Sequence, residues 1–172
     1  MQPDHFQPLT YLYQPAPGPA RATLLLLHGT GGDETQLMGL AARMAPNATL
    51  LGVRGRATEE SVNRWFRRFE PTRYDQADIR AEAGAFVAFV GGAVSGYGLD
   101  VDRLTFLGYS NGANLLGAIL QLHPGLVRRA ILIRAIQVLE TAPAADLAGT
   151  LVLLLTGARD PFAEMAAGLE TA

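Results

Sequence analysis

LTFLGYSNGANLLGAI, residues 104–119, is the stretch that most clearly indicates the fold class. Its first five residues are mostly apolar and predict a buried strand, while the small and apolar residues that follow predict a helix from about 111 to 122. The turn between them, 108–112, matches the pattern G-x-S-x-G with Ser110 at its centre. Such a turn crowds the serine against strand and helix, and the flanking glycines relieve that crowding. We interpret Ser110 as a nucleophile; the alternative is a helix-capping serine behind a glycine turn.

Outside this stretch, short apolar runs alternate with longer helical patterns. The run 22–29 (ATLLLLHG) is apolar up to its end, as expected of a strand buried on both faces of a sheet. Strands that alternate with helices predict right-handed crossovers and a mostly parallel sheet flanked by helices on both faces. The length of 172 residues fits one α/β domain, 1–172. The other predicted strands are 9–13 (at a sheet edge), 49–53, 129–135 and 150–157, and the other predicted helices are 34–44, 75–97 and a last one that begins near Asp160.

The composition excludes several kinds of site. The chain has no cysteine and no lysine, which rules out disulfides, thiol nucleophiles, cysteine metal sites and Schiff-base lysines. Its net charge of −2 gives no reason to expect a nucleic acid as partner. No cluster of metal-ligating side chains stands out, so we expect no metal and no cofactor.

The sequence also carries a prediction about location. No apolar run approaches the roughly 18 residues that a membrane span needs. The proline-rich N-terminal segment 1–20 lacks the basic region followed by an apolar region that is typical of a secretory signal. We therefore expect a cytoplasmic protein without a membrane span.

A glycine-rich loop follows the strand predicted at 22–29. Ligands in open α/β sheets bind beyond the carboxyl ends of the strands, and the sequence places HGTGG (28–32) there. As an oxyanion loop, it would offer the backbone N–H of Thr30 beside that of Asn111, which begins the helix after Ser110. The alternative is an ordinary glycine-rich turn with Asp33 as a helix N-cap.

Asp160 follows the last predicted strand by a short loop. In catalytic triads that are ordered Ser…Asp…His along the chain, the acid belongs at this point. The alternative is that Asp160 caps the helix that begins at Pro161.

The segment 63–79 (NRWFRRFEPTRYDQADI) interleaves aromatic residues with arginines. One interpretation places Trp65 and Phe66 along the apolar side of a substrate pocket. The other is a surface loop anchored by its aromatic side chains, with solvated arginines. An RNA-binding surface would show the same interleaving, but the acidic net charge argues against it.

Five stretches together resemble the phospholipase/carboxylesterase family of α/β-hydrolases, to which acyl-protein thioesterases are related. The resemblance covers nearly the whole chain from about residue 9, and the arginine–aromatic segment is most like the bacterial branch linked to quinone and hydroquinone stress. It implies an α/β-hydrolase fold and a serine esterase or thioesterase that acts on a small-molecule ester without a cofactor. The stretches are LLLLHGTGGDE (24–34), RWFRRF with YDQADI (64–79), LGYSNGANL (107–115), HPGLVRRAILIRA (123–135) and LLLTGARDPF (153–162).

The resemblance also implies a set of site residues. Ser110 would be the nucleophile and Asp160 the triad acid, with Thr30 and Asn111 as oxyanion donors. Asn111 stands where relatives often have glutamine. The expected pocket residues are His28, whose ring would brace the oxyanion loop, together with Trp65 and Phe66.

One element of the family's site has no counterpart in this sequence. The catalytic histidine of the family follows the acid by a helix and one further strand, whereas this sequence ends at Ala172. His123 lies thirteen residues after Ser110 along a helix, on the order of 20 Å away, which is too far for proton transfer. The alternative is that His28, which ends a neighbouring strand, or His5, whose position in the N-terminal tail cannot be inferred, acts as the base. We therefore expect a hydrolase truncated before its last strand and helix, with impaired activity.

Two expectations follow from the missing element. An absent strand would leave an apolar sheet edge exposed, through which the chain could form a homo-oligomer. The alternative function is a catalytically inactive, hydrolase-like module that binds a small molecule in the same pocket.

Overall fold

The computed structural model describes residues 9–19, 22–157, 159–161, 163–166 and 169. Strands and helices alternate along these residues. In chain order the elements are β1 (Thr10–Gln14), β2 (Thr23–Leu27), α1 (Met38–Met44), β3 (Thr49–Arg54), β4 (Ala57–Glu59), β5 (Val62–Arg64), β6 (Arg68–Glu70), β7 (Arg73–Tyr74), α2 (Gln76–Tyr97), β8 (Leu104–Tyr109), α3 (Asn111–Leu122), β9 (Arg129–Ile133) and β10 (Leu151–Leu155), with 3₁₀ turns at Val101–Arg103 and Ala163–Ala166.

Six of the strands form one sheet in the order β1-β3-β2-β8-β9-β10. β1 lies at one edge, antiparallel to β3, and the other neighbouring strands are parallel. The predicted mostly parallel sheet is therefore confirmed. Because β3 and β8 lie on opposite sides of β2, the direction of the crossovers reverses at β2, and ligands bind at such a reversal in open α/β sheets.

Both faces of the sheet are covered by helices, since successive side chains of a strand point to opposite faces. In β2, Leu25 and Leu27 belong to the core formed with α2 and α3, whereas Leu24 and Leu26 belong to the core formed with α1. All five residues of β2 are buried. This confirms the strand buried on both faces that was predicted from the run 22–29.

Helix α2 matches the helix predicted over 75–97 closely. The Asp75 side chain accepts hydrogen bonds from the N–H groups of Ala77 and Asp78 and so caps the first turn, which contributes about 1 kcal/mol. The helix ends at Gly98, whose φ of +63° is a left-handed conformation that glycine adopts without strain.

Helix α1 begins at Met38, later than the predicted start at 34. The Asp33 carboxylate accepts hydrogen bonds from the backbone N–H and the hydroxyl of Thr35, at 2.8 and 2.6 Å. These bonds stabilise turns where a helix was expected. The N-cap position of α1 is Leu37, so the interpretation of Asp33 as its N-cap is wrong.

Two short hairpins, which the sequence did not predict, lie between β3 and α2. β4 pairs with β5 and β6 pairs with β7, each time antiparallel. Every strand has only two or three residues, which is too short for a periodic pattern to be recognised.

β10 exposes apolar side chains at the other edge of the sheet. Leu151 and Leu153 are 69% and 50% exposed, in contrast to the buried β2. The last predicted helix lies largely outside the described residues, of which Ala163–Ala166 form a 3₁₀ turn. No helix within the described part of the chain has the length and hydropathy needed to cross a membrane.

The first turn of α3 lies directly against the ends of β2 and β8. A Cβ atom at Gly112 would lie 2.3 Å from the carbonyl oxygen of Leu27, and one at Gly108 would lie 2.7 Å from the backbone nitrogen of Ala113. Only glycine permits so close an approach of one backbone to another. The two glycines that flank Ser110 therefore allow the strand, the helix and β2 to meet.

We expect Gly112→Ala to lower the free energy of unfolding by about 1–3 kcal/mol, because the added methyl group would overlap the backbone of β2. Gly84→Ala is the matched control, since no atom lies within 4 Å of a Cβ at this position in α2. Alanine there should raise the free energy of unfolding by about 0.5–1 kcal/mol. Urea unfolding measures both variants, and a stabilised Gly112→Ala variant would contradict the close contact.

Candidate functional site

Ser110 joins β8 to α3 in a backbone conformation that few residues other than glycine adopt. Its φ is +51° and its ψ is −113°, a strain of about 1–3 kcal/mol. The backbone N–H of Ser110 donates to the carbonyl oxygen of Ile133 at 2.8 Å. The Ser110 side chain makes no capping hydrogen bond with α3, so the alternative of a helix-capping serine is not supported.

A cavity of about 230 Å³ lies beside Ser110, at the carboxyl ends of the central strands. Its lining combines four of the predicted site residues with seven residues that the sequence did not point to. The eleven residues are Thr30, Arg64, Arg68, Pro71, Tyr74, Ser110, Asn111, Asn114, Arg134, Ile136 and Asp160.

Two backbone N–H groups in this lining suit an oxyanion. In the loop after β2, the N–H groups of Gly29, Gly31 and Gly32 each donate to an oxygen atom. The N–H of Thr30 has no acceptor among the described residues. Asn111 is the first residue of α3, where N–H groups have no partner within the helix. Thr30 and Asn111 therefore offer free N–H donors at the cavity, and that of Asn111 lies at the positive end of α3.

Asp160 lines the cavity in an ion pair with an arginine. Its Oδ2 atom accepts a hydrogen bond from Nε of Arg134 at 2.6 Å, and the Asp160 side chain is only 7% exposed. This hydrogen bond raises the pKa of the Arg134 guanidinium above its ordinary value, with a smaller contribution from Tyr109. Asp160, the predicted acid, thus lines the cavity with its carboxylate paired to a guanidinium.

His28 is buried, and both of its ring nitrogens are engaged by backbone groups. Nε2 lies 3.0 Å from the backbone nitrogen of Gly55, and Nδ1 lies 2.7 Å from the carbonyl oxygen of Gly29. Because an amide N–H can only donate, Nε2 must accept and Nδ1 must carry the proton. The ring therefore joins two loops, and its lone pair is not available to Ser110.

The other two histidines do not complete the site. His123 lies at the C-terminal end of α3, whereas Ser110 lies at its N-terminal end. His5 lies outside the described residues. No histidine of the described chain is thus in a position to accept the Ser110 proton.

Trp65 and Phe66 lie in the core instead of along the cavity. They are 1% and 0% exposed, and the indole N–H of Trp65 donates to the carbonyl oxygen of His28 at 2.9 Å. The Trp65 ring packs edge-on against Phe86 of α2, 5.7 Å between ring centres. His28, Trp65 and Phe66 were expected to line the pocket. The structure differs because their rings pack in the interior: His28 stacks on Trp65, 5.1 Å between ring centres, and Phe66 packs edge-on against Tyr74 at 5.6 Å.

Arginines of the same segment take their place at the cavity. Arg64 and Arg68 line it, as does Arg134 from the loop after β9. The interleaving of arginines with aromatic residues was visible in the sequence, but nothing in it distinguished Arg64 from the exposed Arg67. Within the described residues, no group of three His, Cys, Asp or Glu side chains could hold a metal ion.

The sequence is similar to a curated protein of Bacillus subtilis (strain 168) named "Putative hydrolase MhqD". The two are 33% identical over 145 residues, which are 84% of this chain and 72% of that protein. No family model matches the sequence.

Two solved structures are similar to this chain in both fold and sequence over nearly its whole length. A carboxylesterase from Mesorhizobium loti is 48% identical with a TM-score of 0.91, and the match covers 95% of this chain and 78% of that one. A carboxylesterase from Bacillus cereus is 30% identical with a TM-score of 0.89, and the match covers 95% and 78% of the two chains.

The engaged ring of His28 predicts that stability depends on pH. Burial lowers the pKa of His28 below its ordinary value of 6.5. Below about pH 6.5 the imidazole of His28 is therefore protonated in the unfolded chain while it is still neutral in the folded chain. The free energy of unfolding is highest above that pH and decreases as the pH falls through the folded-state pKa.

We expect the free energy of unfolding, measured with urea, to decrease from about pH 7.5 to about pH 5.5. His28→Gln, which has no ring to protonate, should show a smaller decrease over the same interval. Identical pH profiles for the two proteins would contradict a buried, neutral His28.

Proposed function

The chain belongs to the phospholipase/carboxylesterase family of α/β-hydrolases, and we propose that its site cleaves small carboxylic esters or thioesters through an acyl-serine intermediate. The observation that carries the proposal is the strained Ser110, whose side chain makes no capping hydrogen bond. Ser110 lines the same cavity as Thr30 and Asn111, whose backbone N–H groups are free. The carboxylesterase relatives imply a small-molecule ester as substrate. The single domain over residues 1–172 and the cytoplasmic location are predictions from the sequence.

In the proposed reaction, the hydroxyl oxygen of Ser110 attacks the acyl carbonyl carbon while its proton passes to a base. The carbonyl oxygen becomes negatively charged, and the N–H groups of Thr30 and Asn111 stabilise it. The alcohol or thiol then leaves with a proton. Water attacks the acyl-serine ester, which releases the acid and restores the hydroxyl group.

The base is the component that the described residues do not supply. The His28 lone pair accepts from Gly55, and Asp160 is paired with Arg134. In subtilisin, loss of the histidine alone lowers kcat by about 2 × 10⁶, while the oxyanion hole and binding retain about 10³–10⁴ over water. We therefore expect this chain by itself to be a slow esterase whose Ser110 responds to an added base.

The second candidate function is a catalytically inactive module that binds a small molecule. The ion pair between Arg134 and Asp160 favours it, because the predicted triad acid already has a cationic partner. The strain at Ser110 argues against it, since a binding module has no need of a strained serine.

Imidazole rescue separates the two functions. We expect hydrolysis of p-nitrophenyl acetate by this chain to rise about tenfold or more as imidazole is added, a fraction of the 10²–10⁴ that a positioned base contributes. Because imidazole hydrolyses this ester by itself, the Ser110→Ala variant at each imidazole concentration provides the background. Intact mass measured after rapid quenching should show an added acetyl group on the chain that retains Ser110 and none on the Ser110→Ala variant.

The esterase would be contradicted if the chain with Ser110 and the Ser110→Ala variant hydrolysed the ester at equal rates at every imidazole concentration and neither became acetylated. They would leave the binding module as the function of this chain. A circular dichroism spectrum of each protein confirms that the comparison is between folded chains.

We also propose that the chain forms a homo-oligomer through β10. Its exposed apolar residues lie on an edge strand, whose free backbone groups can pair with a strand of a second copy. Leu151, Leu153 and Leu155 are 69%, 50% and 44% exposed.

Leu153→Arg should weaken this self-association, because a charge on the strand opposes its pairing with an apolar strand of a second chain. Leu12→Arg, at the opposite edge of the sheet and 41% exposed, is the matched control and should leave association unchanged. Sedimentation velocity over a range of concentrations measures both variants. Equal weakening by the two substitutions would contradict an interface at β10.

A further inference from the structure

Two buried hydrogen-bond donors without a partner belong to residues that line the Ser110 cavity. They are Nε of Arg64 and Nδ2 of Asn111, the buried side-chain nitrogen or oxygen atoms found without a hydrogen bond among the described residues. Both residues line the cavity and are nine-tenths or more buried, at 5% and 2% exposed. A buried donor without an acceptor costs about 1–3 kcal/mol. Two such donors, on neighbouring residues that line one cavity, would be satisfied by a ligand group that is rich in acceptors.

Arg64 also brings positive charge that its neighbours balance only in part. Its Nη1 lies 3.4 Å from Oε2 of Glu59, and the same carboxylate accepts a hydrogen bond from Nε of Arg68 at 2.9 Å. Asp160 is bound to Arg134. The three arginines at the cavity therefore face two carboxylates, and one positive charge is left for a ligand.

The geometry of the Arg64 guanidinium suits a carboxylate. Nη1 is directed to Glu59. The N–H of Nε and one N–H of Nη2 lie on another side of the guanidinium and remain for a ligand. These two donors point the same way and match the two oxygen atoms of a carboxylate. Burial lowers the pKa of Arg64 from its ordinary value, and a bound anion would offset the cost of burying the cation.

The hydrogen bonds of Asn111 fix where its free donor lies. Oδ1 accepts from the backbone N–H of Trp65 at 2.8 Å, and because that N–H can only donate, the amide orientation is determined. Since Trp65 follows Arg64 in the chain, the Asn111 amide lies beside the end of β5 that carries Arg64. The backbone N–H of Asn111 is at the same time a proposed oxyanion donor.

We propose that the site takes an ester whose acyl group carries a carboxylate, which Arg64 and the side-chain amide of Asn111 bind while the backbone of Asn111 receives the ester carbonyl oxygen. This inference rests on the proposed function for the position of the ester. Because one residue contacts both ends of the acyl group, the carboxylate lies on the acyl side and close to the carbonyl. A cavity of about 230 Å³ is smaller than the roughly 300–1,000 Å³ of pockets for drug-sized ligands, which suits a half-ester of a short dicarboxylic acid.

Calorimetric titration of the Ser110→Ala chain tests the inference without turnover. The probes are monomethyl succinate and its uncharged isostere, methyl succinamate. We expect monomethyl succinate to bind about tenfold or more tightly, in line with hydrogen bonds between charged groups. Acetoxyacetate, whose carboxylate is on the alcohol side of the ester, should bind more weakly than monomethyl succinate.

Arg64→Gln in the same background should remove the preference for monomethyl succinate over methyl succinamate, so that the two probes bind with similar affinity. Arg73→Gln makes the same change of charge at a side chain that is 58% exposed and outside the cavity lining, and should keep the preference. If Arg64→Gln does not fold, Asn111→Asp retains the acceptor for Trp65 but replaces the free donor by a negative charge. This variant should also lose the preference.

Equal affinities for the two probes, tighter binding of acetoxyacetate, or equal effects of Arg64→Gln and Arg73→Gln would each overturn the inference. These outcomes leave Ser110-dependent hydrolysis of p-nitrophenyl acetate unaffected. Conversely, a carboxylate preference without Ser110-dependent hydrolysis would contradict the serine mechanism and retain the anion site, so the two failures are distinguishable.

Discussion

The site depends on the contact between the first turn of α3 and the end of β2. Only glycine at position 112 leaves room for the carbonyl oxygen of Leu27, and only glycine at position 108 leaves room for the backbone of Ala113. The chain must therefore pass from strand to helix within one residue, Ser110, at a φ of +51°. Nearly every residue of α3 is buried, and that burial offsets the strain. The same contact places the start of α3, with its free N–H groups, beside the loop after β2.

Trp65 connects the two inserted hairpins to this arrangement. Its indole N–H binds the carbonyl of His28, and its backbone N–H binds the side chain of Asn111. Since the rings of Trp65 and Phe66 are buried in the core, the arginines on either side of them remain for the cavity and for solvent. Arg64 and Arg68 face the cavity and share Glu59. One segment of the chain thus determines both the packing behind the site and the positive charge inside it.

The components of the proposed esterase site differ in how completely the described residues provide them. The strained serine and the two free N–H groups are held by backbone contacts, so they are in place before any substrate binds. The general base is not provided by the described residues, because His28 uses its lone pair to join two loops and Asp160 is bound to Arg134. In the proposed mechanism, binding of the substrate and stabilisation of the oxyanion are therefore separate from proton transfer, and each can be measured without the other.

From the sequence alone follow the six strands of the main sheet, the turn at Ser110, and the placement of Thr30, Asn111 and Asp160 at one edge of that sheet. These features depend on local patterns, such as continuous apolar runs and paired glycines, and on the rule that parallel strands end at the same edge. The burial of Trp65 and Phe66, the position of Arg64 and Arg134 at the cavity, and the hydrogen bond that His28 accepts from Gly55 could not be read from the sequence. Each of these features depends on a hydrogen bond or packing contact between residues that are distant in the chain. Neither the period nor the composition of a segment specifies which side of a two- or three-residue strand faces the core.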